Sequence, residues 1–176
     1  KVVVAVRRRA TGEETAALVR ADGGEALVVE ADVGKRAAVD ALIAQTVAAY
    51  GGVDIIIHNA SSALSGKAFA LEDVSDADWD EQCDTALAAP FHLAQAAFPY
   101  LRDTGRGRYV IFTSSQGLHG GAMNPVYAAT KNAQRGFAKA LAREWGPHGI
   151  VVNAVAPAAL TDVAREYLTS NPERAK

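Results

Sequence analysis

Short apolar runs alternate with helix-forming stretches along the whole chain, and this alternation restricts the possible folds more than any other feature. The apolar runs cover residues 2–6, 26–30, 53–57, 109–113 and 150–155. Consecutive apolar positions rich in valine and isoleucine are typical of strands that are covered on both faces. Since a helical pattern separates each run from the next, the strands are expected to be parallel, with helices on both faces. The sequence therefore predicts a doubly wound α/β fold.

Several positions predict where the helices begin. Thr11, with Glu14 three residues later, forms a capping-box pattern, and Ser75 or the residue after it precedes a long helical stretch. Asn124 followed by Pro125 predicts an N-cap and the first position of another helix. With these helices between its strands, the predicted fold is a Rossmann-like parallel sheet.

The composition is that of an ordinary globular chain. With 176 residues, 49% of them apolar and 22% charged, it suits a single Rossmann-like domain over residues 1–176 and is too short for two. The formal net charge of −2 argues against a nucleic-acid partner, and no apolar run is long enough to predict a membrane span. Cys83 is the single cysteine, which favours a reducing, cytoplasmic location. The histidines lack the spacing of metal ligands, and no metal is expected.

A tyrosine, a lysine and a serine lie at a spacing that suits proton transfer. Tyr127 and Lys131 are four residues apart on one predicted helix face, and Ser114 lies thirteen residues before the tyrosine, at the end of an apolar run. A phenol has a pKa near 10 and exchanges protons poorly at neutral pH. An adjacent ammonium favours the phenolate, and a serine hydroxyl can hydrogen-bond a substrate oxygen. Together these residues indicate proton transfer to or from an alcohol or carbonyl oxygen.

Four segments, in order and spacing, resemble the short-chain dehydrogenase/reductase family. They are His58–Ser61, Ser114, Tyr127–Lys131 and Val152–Pro157. The resemblance covers the chain from about residue 1 to 165. It implies Ser114, Tyr127 and Lys131 as catalytic residues, with Ser114 preferred to Ser115 because of its spacing to the tyrosine. It also implies that Lys131 binds the nicotinamide ribose.

Further positions resemble the family's cofactor-binding residues, and each has a simpler alternative. Asn59 and Ala60 match a segment whose backbone passes close to the cofactor, although asparagine also suits the turn that ends a strand. Asp32 and Val33 match the pair that flanks the adenine ring. The alternative for Asp32 is that it only caps the end of its strand.

The residues after the first apolar run bear on the choice of cofactor. Family members that use NAD often carry an acidic residue at the end of the second strand, where it holds the ribose 2′-hydroxyl. That position is Val6 here, and Arg7, Arg8 and Arg9 follow it. A guanidinium group suits a 2′-phosphate, which a carboxylate would repel. NADP is therefore expected in preference to NAD, and a solvated basic turn is the alternative interpretation.

Three positions depart from the family pattern inside otherwise matching motifs. Ala86, seven residues after Trp79, replaces an asparagine that supports a proton-relaying water in the family, so a slower proton relay is expected. Pro157 matches the family's Pro-Gly turn, with Ala158 in place of the glycine. Thr161 matches, one residue early, a threonine that contacts the carboxamide in the family. The alternative is that Thr161 is only the N-cap of the next helix.

The chain also differs from the family at both ends. The family's first strand and glycine-rich phosphate turn have no match, because Gly12 is followed by two glutamates that would repel a diphosphate. The sequence opens on what resembles the second strand, so the sheet is expected to be incomplete at both ends. A partial or processed version of a longer protein is the preferred explanation. A partner that supplies the missing strands and a truncated relative are the alternatives.

The resemblance implies an NADP-dependent oxidoreductase that interconverts a secondary alcohol and a ketone, for example a 3-oxoacyl thioester reductase. A non-catalytic relative acting as a dimerisation or scaffold module is the main alternative, and a lyase- or epimerase-type relative with bound nicotinamide is a third. A homodimer or homotetramer is expected through the helices at 79–101 and 127–145, which form the dimer contact in the family. The substrate itself is not predicted.

Overall fold

The computed structural model describes residues 1–65, 67–158, 165 and 169. In this part of the chain, parallel strands alternate with helices, which confirms the predicted α/β class. The strands are β1 (Val2–Val6), β2 (Ala26–Glu30), β3 (Ile55–His58), β4 (Arg108–Phe112) and β5 (Val151–Val155). The helices are α1 (Arg9–Ala21), α2 (Arg36–Tyr50), α3 (Asp76–Cys83), α4 (Ala89–Asp103), α5 (Gln116–His119) and α6 (Pro125–Trp145). Short 3-10 turns cover Leu71–Asp73 and Gly146–His148.

The strands form two parallel sheets. In the first, β1 pairs with β2, so that Val6 lies opposite Glu30. In the second, β4 lies between β3 and β5, and His58 lies opposite Ile111. Because all strands within a sheet run the same way, the residues that follow their carboxyl ends gather at one edge.

An inter-sheet cleft separates β1 from β3. Its volume is about 840 Å³, and its walls include Val3 and Ala5 of β1 and Ile55 and Ile57 of β3. Within the described residues, no strand fills the space between these two edges. The interruption falls where the family resemblance leaves the first strand without a match. The interruption expected at the carboxyl end concerns residues outside the described part.

The core lies between the sheets and the helices α2, α4 and α6. Tyr109 and Ile111 of β4 are completely buried, and the Tyr109 hydroxyl donates a hydrogen bond to the Pro90 carbonyl at 2.7 Å. The ring of Trp145, at the end of α6, stacks on Tyr109 with 6.3 Å between the ring centroids. The alternate residues of β4 therefore fix the face on which α4 and α6 pack.

Two helix predictions differ from the structure. The first helix begins at Arg9, after an N-cap at Arg8, and the Thr11 hydroxyl donates to the Arg8 carbonyl instead of forming a capping box. The long helix does begin after Ser75, which forms a capping box, but a π-helical turn at Asp84–Ala88 divides it into α3 and α4. A π-turn widens the helix and is frequent at functional sites.

Two isoleucines in paired strands test where the core lies. Ile111→Ala removes a side chain that is 0% exposed, so we expect the free energy of unfolding to fall by about 2–5 kcal/mol. Ile57→Ala removes one that is 61% exposed, and we expect a loss of less than about 1 kcal/mol. Urea unfolding followed by circular dichroism measures both, and equal losses would contradict this assignment of the core.

Candidate active site

Lys131 is held at the carboxyl end of β4 by a hydrogen bond from its side chain. The Nζ atom donates to the Phe112 carbonyl at 2.8 Å, and the residue is only 6% exposed. Burial disfavours the charged form and lowers the pKa of Lys131 from 10.5 to about 8. The ammonium therefore persists at neutral pH but is lost at mildly alkaline pH.

Tyr127 lies one turn before Lys131 in α6. The Lys131 Nζ is 5.6 Å from the centroid of the Tyr127 ring. Pro125 occupies the first position of this helix, and Asn124 is its N-cap as predicted, although its side chain makes no capping hydrogen bond. The start of α6 thus places a partly buried phenol beside a buried ammonium.

Ser114 lies two residues beyond β4, on the loop that leads into α5. Its Oγ atom accepts a hydrogen bond from the Gln116 main-chain amide at 3.2 Å, which leaves the hydroxyl proton free to be donated. Ser115, the competing serine, is exposed and forms the N-cap of α5. Ser114, which is partly buried, and the buried Lys131 both lie at the end of β4. The assignment of Ser114 as the catalytic serine stays a prediction.

Gly117 allows α5 to pack directly against α6. A Cβ atom at this position would lie 2.7 Å from the Asn132 main-chain nitrogen and 2.8 Å from the Lys131 carbonyl carbon. Real side chains do not approach backbone atoms so closely. The glycine therefore permits α5 to contact the main chain of α6 at Lys131 and Asn132.

The predicted cofactor residues of β2 and β3 lie at the same edge of the fold. Asp32 and Val33 follow β2, and Asn59 and Ala60 follow β3. Of these, Val33, Asn59 and Ala60 line the inter-sheet cleft. The Asp32 carboxylate accepts a hydrogen bond from the Gly34 amide at 3.1 Å, so it does cap its own turn. Their part in cofactor binding stays a prediction.

Arg7 follows β1 and is exposed beside the end of β2, since the Val6 carbonyl accepts a hydrogen bond from the Ala31 amide at 2.9 Å. Pro157 is exposed and lies two residues beyond β5. The remaining predicted residue, Thr161, lies outside the described residues.

A buried histidine belongs to this region and was missed as a site residue from the sequence. His58, the last residue of β3, is 2% exposed, and neither ring nitrogen has a hydrogen-bond partner in the described part of the chain. Burial and the positive charge of Lys131 lower the pKa of His58 to about 4, so the ring is neutral at physiological pH. Its position directly after a continuous apolar run was the available signal that it is buried.

The serine–tyrosine–lysine cluster and the inter-sheet cleft are separate features. None of Ser114, Tyr127 and Lys131 lines the cleft, whereas His58 does. Among the described residues, no three histidine, cysteine, aspartate or glutamate side chains come together as potential metal ligands. No helix in the described part of the chain is long and apolar enough to cross a membrane.

A parallel α/β fold with polar side chains after the carboxyl ends of its strands is the architecture of dinucleotide-binding domains. The profile of the short chain dehydrogenase family matches residues 1–172, and the chain belongs to that family. A crystal structure of a metagenomic short-chain oxidoreductase in complex with NADP superimposes with a TM-score of 0.83 at 25% identity, covering 100% of this chain and 79% of that one.

Three named relatives are 33–38% identical to this chain over their aligned residues. A hydroxy(phenyl)methyl-succinyl-CoA dehydrogenase subunit of Thauera aromatica is 38% identical over 85% of this chain and 57% of its own length. The short-chain reductase protein NovJ of Streptomyces niveus is 34% identical over 89% and 58%, respectively. The 2-dehydro-3-deoxy-D-gluconate 5-dehydrogenase of Escherichia coli is 33% identical over 92% and 63%. The chain thus spans about 60% of the length of these relatives.

Two glycines test the packing behind Lys131. Gly117→Ala forces a Cβ against the backbone of α6, and we expect a loss of about 1–3 kcal/mol in the free energy of unfolding. Gly136→Ala, an exposed position in the middle of α6 with open space around it, is the matched control and should stabilise by about 0.5–1 kcal/mol. Urea unfolding distinguishes them, and equal effects would show that α5 does not depend on this close contact.

Proposed function

We propose that the chain forms part of an NADP-dependent oxidoreductase that interconverts a secondary alcohol and a ketone. The observation that carries the proposal is the placement of Lys131, whose hydrogen bond to Phe112 fixes its ammonium 5.6 Å from the Tyr127 ring. The family membership supports the same reaction class.

The chain's own residues would manage the proton. The Lys131 ammonium lies beside the Tyr127 ring, and a positive charge there assists the exchange of a proton at the phenol oxygen. In reduction Tyr127 donates its proton to the substrate oxygen, and in oxidation it takes the alcohol proton. The Ser114 hydroxyl donates a hydrogen bond to the same oxygen and orients it. When bound, the nicotinamide cofactor supplies or accepts the hydride.

The residues present fit the cofactor. Val33, Asn59 and Ala60 lie along the strand ends where dinucleotides bind in open parallel sheets, and Arg7 provides an exposed guanidinium at the same edge. A guanidinium pairs with a 2′-phosphate, which favours NADP over NAD. The NADP bound in the metagenomic oxidoreductase gives further support.

An acyl thioester is the substrate class that we propose. The loop between Ser114 and Tyr127 exposes two large apolar side chains, Leu118 and Met123, which suit a substrate with an apolar part. Met123 adopts a positive φ of 61°, uncommon for a non-glycine residue and frequent where a loop is shaped for function. The relative from Thauera aromatica is named for a CoA thioester.

We also propose a cytoplasmic homodimer or homotetramer assembled through α4, α6 and the helix that precedes α4. Three large apolar side chains on this segment, Trp79, Leu87 and Phe91, are substantially exposed. Apolar side chains concentrated on one helical segment favour a protein interface. The single cysteine suits a reducing compartment.

A scaffold module without catalysis is the alternative. The inter-sheet cleft favours it because, among the described residues, no strand connects the sheet that carries Asp32 with the sheet that carries Asn59. The two proposals differ in cofactor binding. Titration with NADPH, followed by nucleotide fluorescence, should show saturable binding if the oxidoreductase proposal is right. No binding at millimolar NADPH would favour the scaffold.

Tyr127→Phe removes only the hydroxyl that exchanges the proton. We expect kcat for NADPH-dependent reduction of a 3-oxoacyl thioester to fall by about 10²–10⁴-fold, with NADPH affinity largely retained. Tyr100→Phe, on α4, is the matched control and should leave kcat within about twofold. The loss of NADPH absorbance measures both, and an active Tyr127→Phe variant would rule out the tyrosine as the acid–base group.

Arg7→Ala tests the choice of cofactor. Loss of one charge-assisted hydrogen bond to the 2′-phosphate should weaken NADPH binding about 10- to 100-fold and leave NADH binding unchanged. Arg9→Ala is the control, because the Arg9 guanidinium is directed at Glu13, 3.4 Å away. Fluorescence titrations with both cofactors give the ratio, and an equal loss for NADH and NADPH would contradict the assignment of Arg7 to the phosphate.

A further inference from the structure

The buried imidazole of His58 has no function in the proton transfer described so far, yet it lies close to the residues that carry it. In parallel pairing, His58 is opposite Ile111, the residue before Phe112. The Phe112 carbonyl accepts the hydrogen bond of Lys131. Paired residues of neighbouring strands project to the same face, so His58 lies on the face of Ile111 and Tyr109.

That face is covered by the π-turn, α4 and α6. The Tyr109 hydroxyl binds the Pro90 carbonyl of α4, and the Gln134 Nε2 atom of α6 donates to the Ala86 carbonyl of the π-turn at 2.9 Å. The main chain of Thr85, in the same turn, lies close enough to the imidazole to act on its pKa, although neither ring nitrogen has the geometry of a hydrogen bond in the described part of the chain. The imidazole is therefore enclosed by the π-turn on one side and by the helix of Lys131 on the other.

Two buried side chains here hold polar atoms without partners in the described part of the chain. They are both ring nitrogens of His58 and the Oε1 atom of Gln134, a residue that is 1% exposed. Gln134 follows Lys131 by three residues, so the two lie one turn apart on α6. Buried polar atoms are rarely left unpaired, and a pocket with several of them can hold an ordered water.

Lys131 supplies the donor that such a water needs. Its ammonium has three N–H groups, and the bond to Phe112 uses one of them. No direct hydrogen bond joins Lys131 to His58, yet the charge of Lys131 is close enough to act on the imidazole. A water that bridges two polar groups beyond direct hydrogen-bond reach makes contacts nearly as favourable as a direct hydrogen bond.

We propose that His58 is a positioning residue for Lys131: its neutral imidazole accepts, through one bridging water, a hydrogen bond from the Lys131 ammonium. The inference builds on the proposed function, because it gives Lys131 a second anchor besides Phe112. His58 thereby helps to keep the ammonium charged and directed beside Tyr127. It also supplies a polar side chain near Ala86, the position where this chain has alanine in place of the family's asparagine.

The other ionisable groups near His58 do not compete for this role. On α6, Tyr127 lies one turn before Lys131. At the π-turn, the Asp84 carboxylate binds the Lys35 ammonium at 2.6 Å. Cys83 carries a thiol whose pKa is raised by burial, so it stays neutral. Lys131 is the one cation whose field reaches His58 among these described groups.

The decisive measurement is the titration of Lys131 in full-chain protein labelled with ¹³C at lysine Cε and followed by NMR. The wild-type midpoint should lie near pH 8. In His58→Leu we expect the midpoint to fall by about 0.7 pH unit, because the charged form loses one net hydrogen bond. His58→Asn keeps a polar acceptor and should restore most of the shift, and His119→Leu, at an exposed histidine, is the control.

An unchanged Lys131 midpoint in a folded His58→Leu variant would overturn the proposal. If that variant does not fold, the wild-type protein still decides, through the ¹⁵N spectrum of the His58 ring. A hydrogen-bonded acceptor nitrogen in a single neutral tautomer at pH 6 supports the proposal, and an acceptor nitrogen without a hydrogen bond contradicts it. The NMR readouts are independent of turnover. If the wild-type protein is inactive but the Lys131 midpoint still shifts in His58→Leu, the proposed function is refuted and the role of His58 stands.

Discussion

The hydrogen bond from Lys131 to the Phe112 carbonyl joins the two halves of the candidate active site. Phe112 ends β4, the central strand of the three-stranded sheet, and Lys131 lies in the first half of the long helix α6. Ser114 follows from the strand, and Tyr127 precedes the lysine on the helix. In the part of the chain that the structure describes, this bond is the polar contact that fixes the helix relative to the strand end. The position of the ammonium beside the phenol therefore depends on one main-chain carbonyl, and on Gly117, which lets α5 pack closely behind it.

Burial determines the pKa of Lys131 and so the pH range in which its side chain is charged. Burial removes the ammonium from water and destabilises its charged form, so the proton is bound less tightly and the pKa of Lys131 falls to about 8. Burial, together with the charge of the same ammonium, lowers the pKa of His58 and keeps that imidazole neutral. A neutral imidazole next to a buried ammonium can act as an acceptor, whereas a charged one would repel it. The electrostatics of the site are thus consistent with a lysine that works as a cation and a histidine that does not.

The inter-sheet cleft shapes what the remaining site residues can do. β1, with Arg7 after it, and β2, with Asp32 after it, belong to one sheet, whereas β3 and the catalytic candidates belong to the other. In the part of the chain that the structure describes, α2 and its packing against α4 connect the two sheets. The predicted adenosine-binding residues and the predicted proton-transfer residues consequently lie on opposite sides of a gap with exposed isoleucines, Ile55 and Ile57. A continuous sheet would relate them more rigidly.

The sequence alone determined the α/β class, the order of the elements and the Tyr127–Lys131 pair, because apolar runs, helical periodicity and residue spacing are local properties. The sequence predicted the helix starts less well. Thr11 and Glu14 have the spacing of a capping box, yet the N-cap of α1 is Arg8, because the turn after β1 decides where the helix begins. Only the tertiary structure decided that Lys131 is buried against Phe112, that a π-turn interrupts the long helix, and that His58 lies beside the lysine. These features arise where strand ends meet helices distant in sequence, and the energy of burying a charge or an imidazole depends on neighbours that no local pattern specifies.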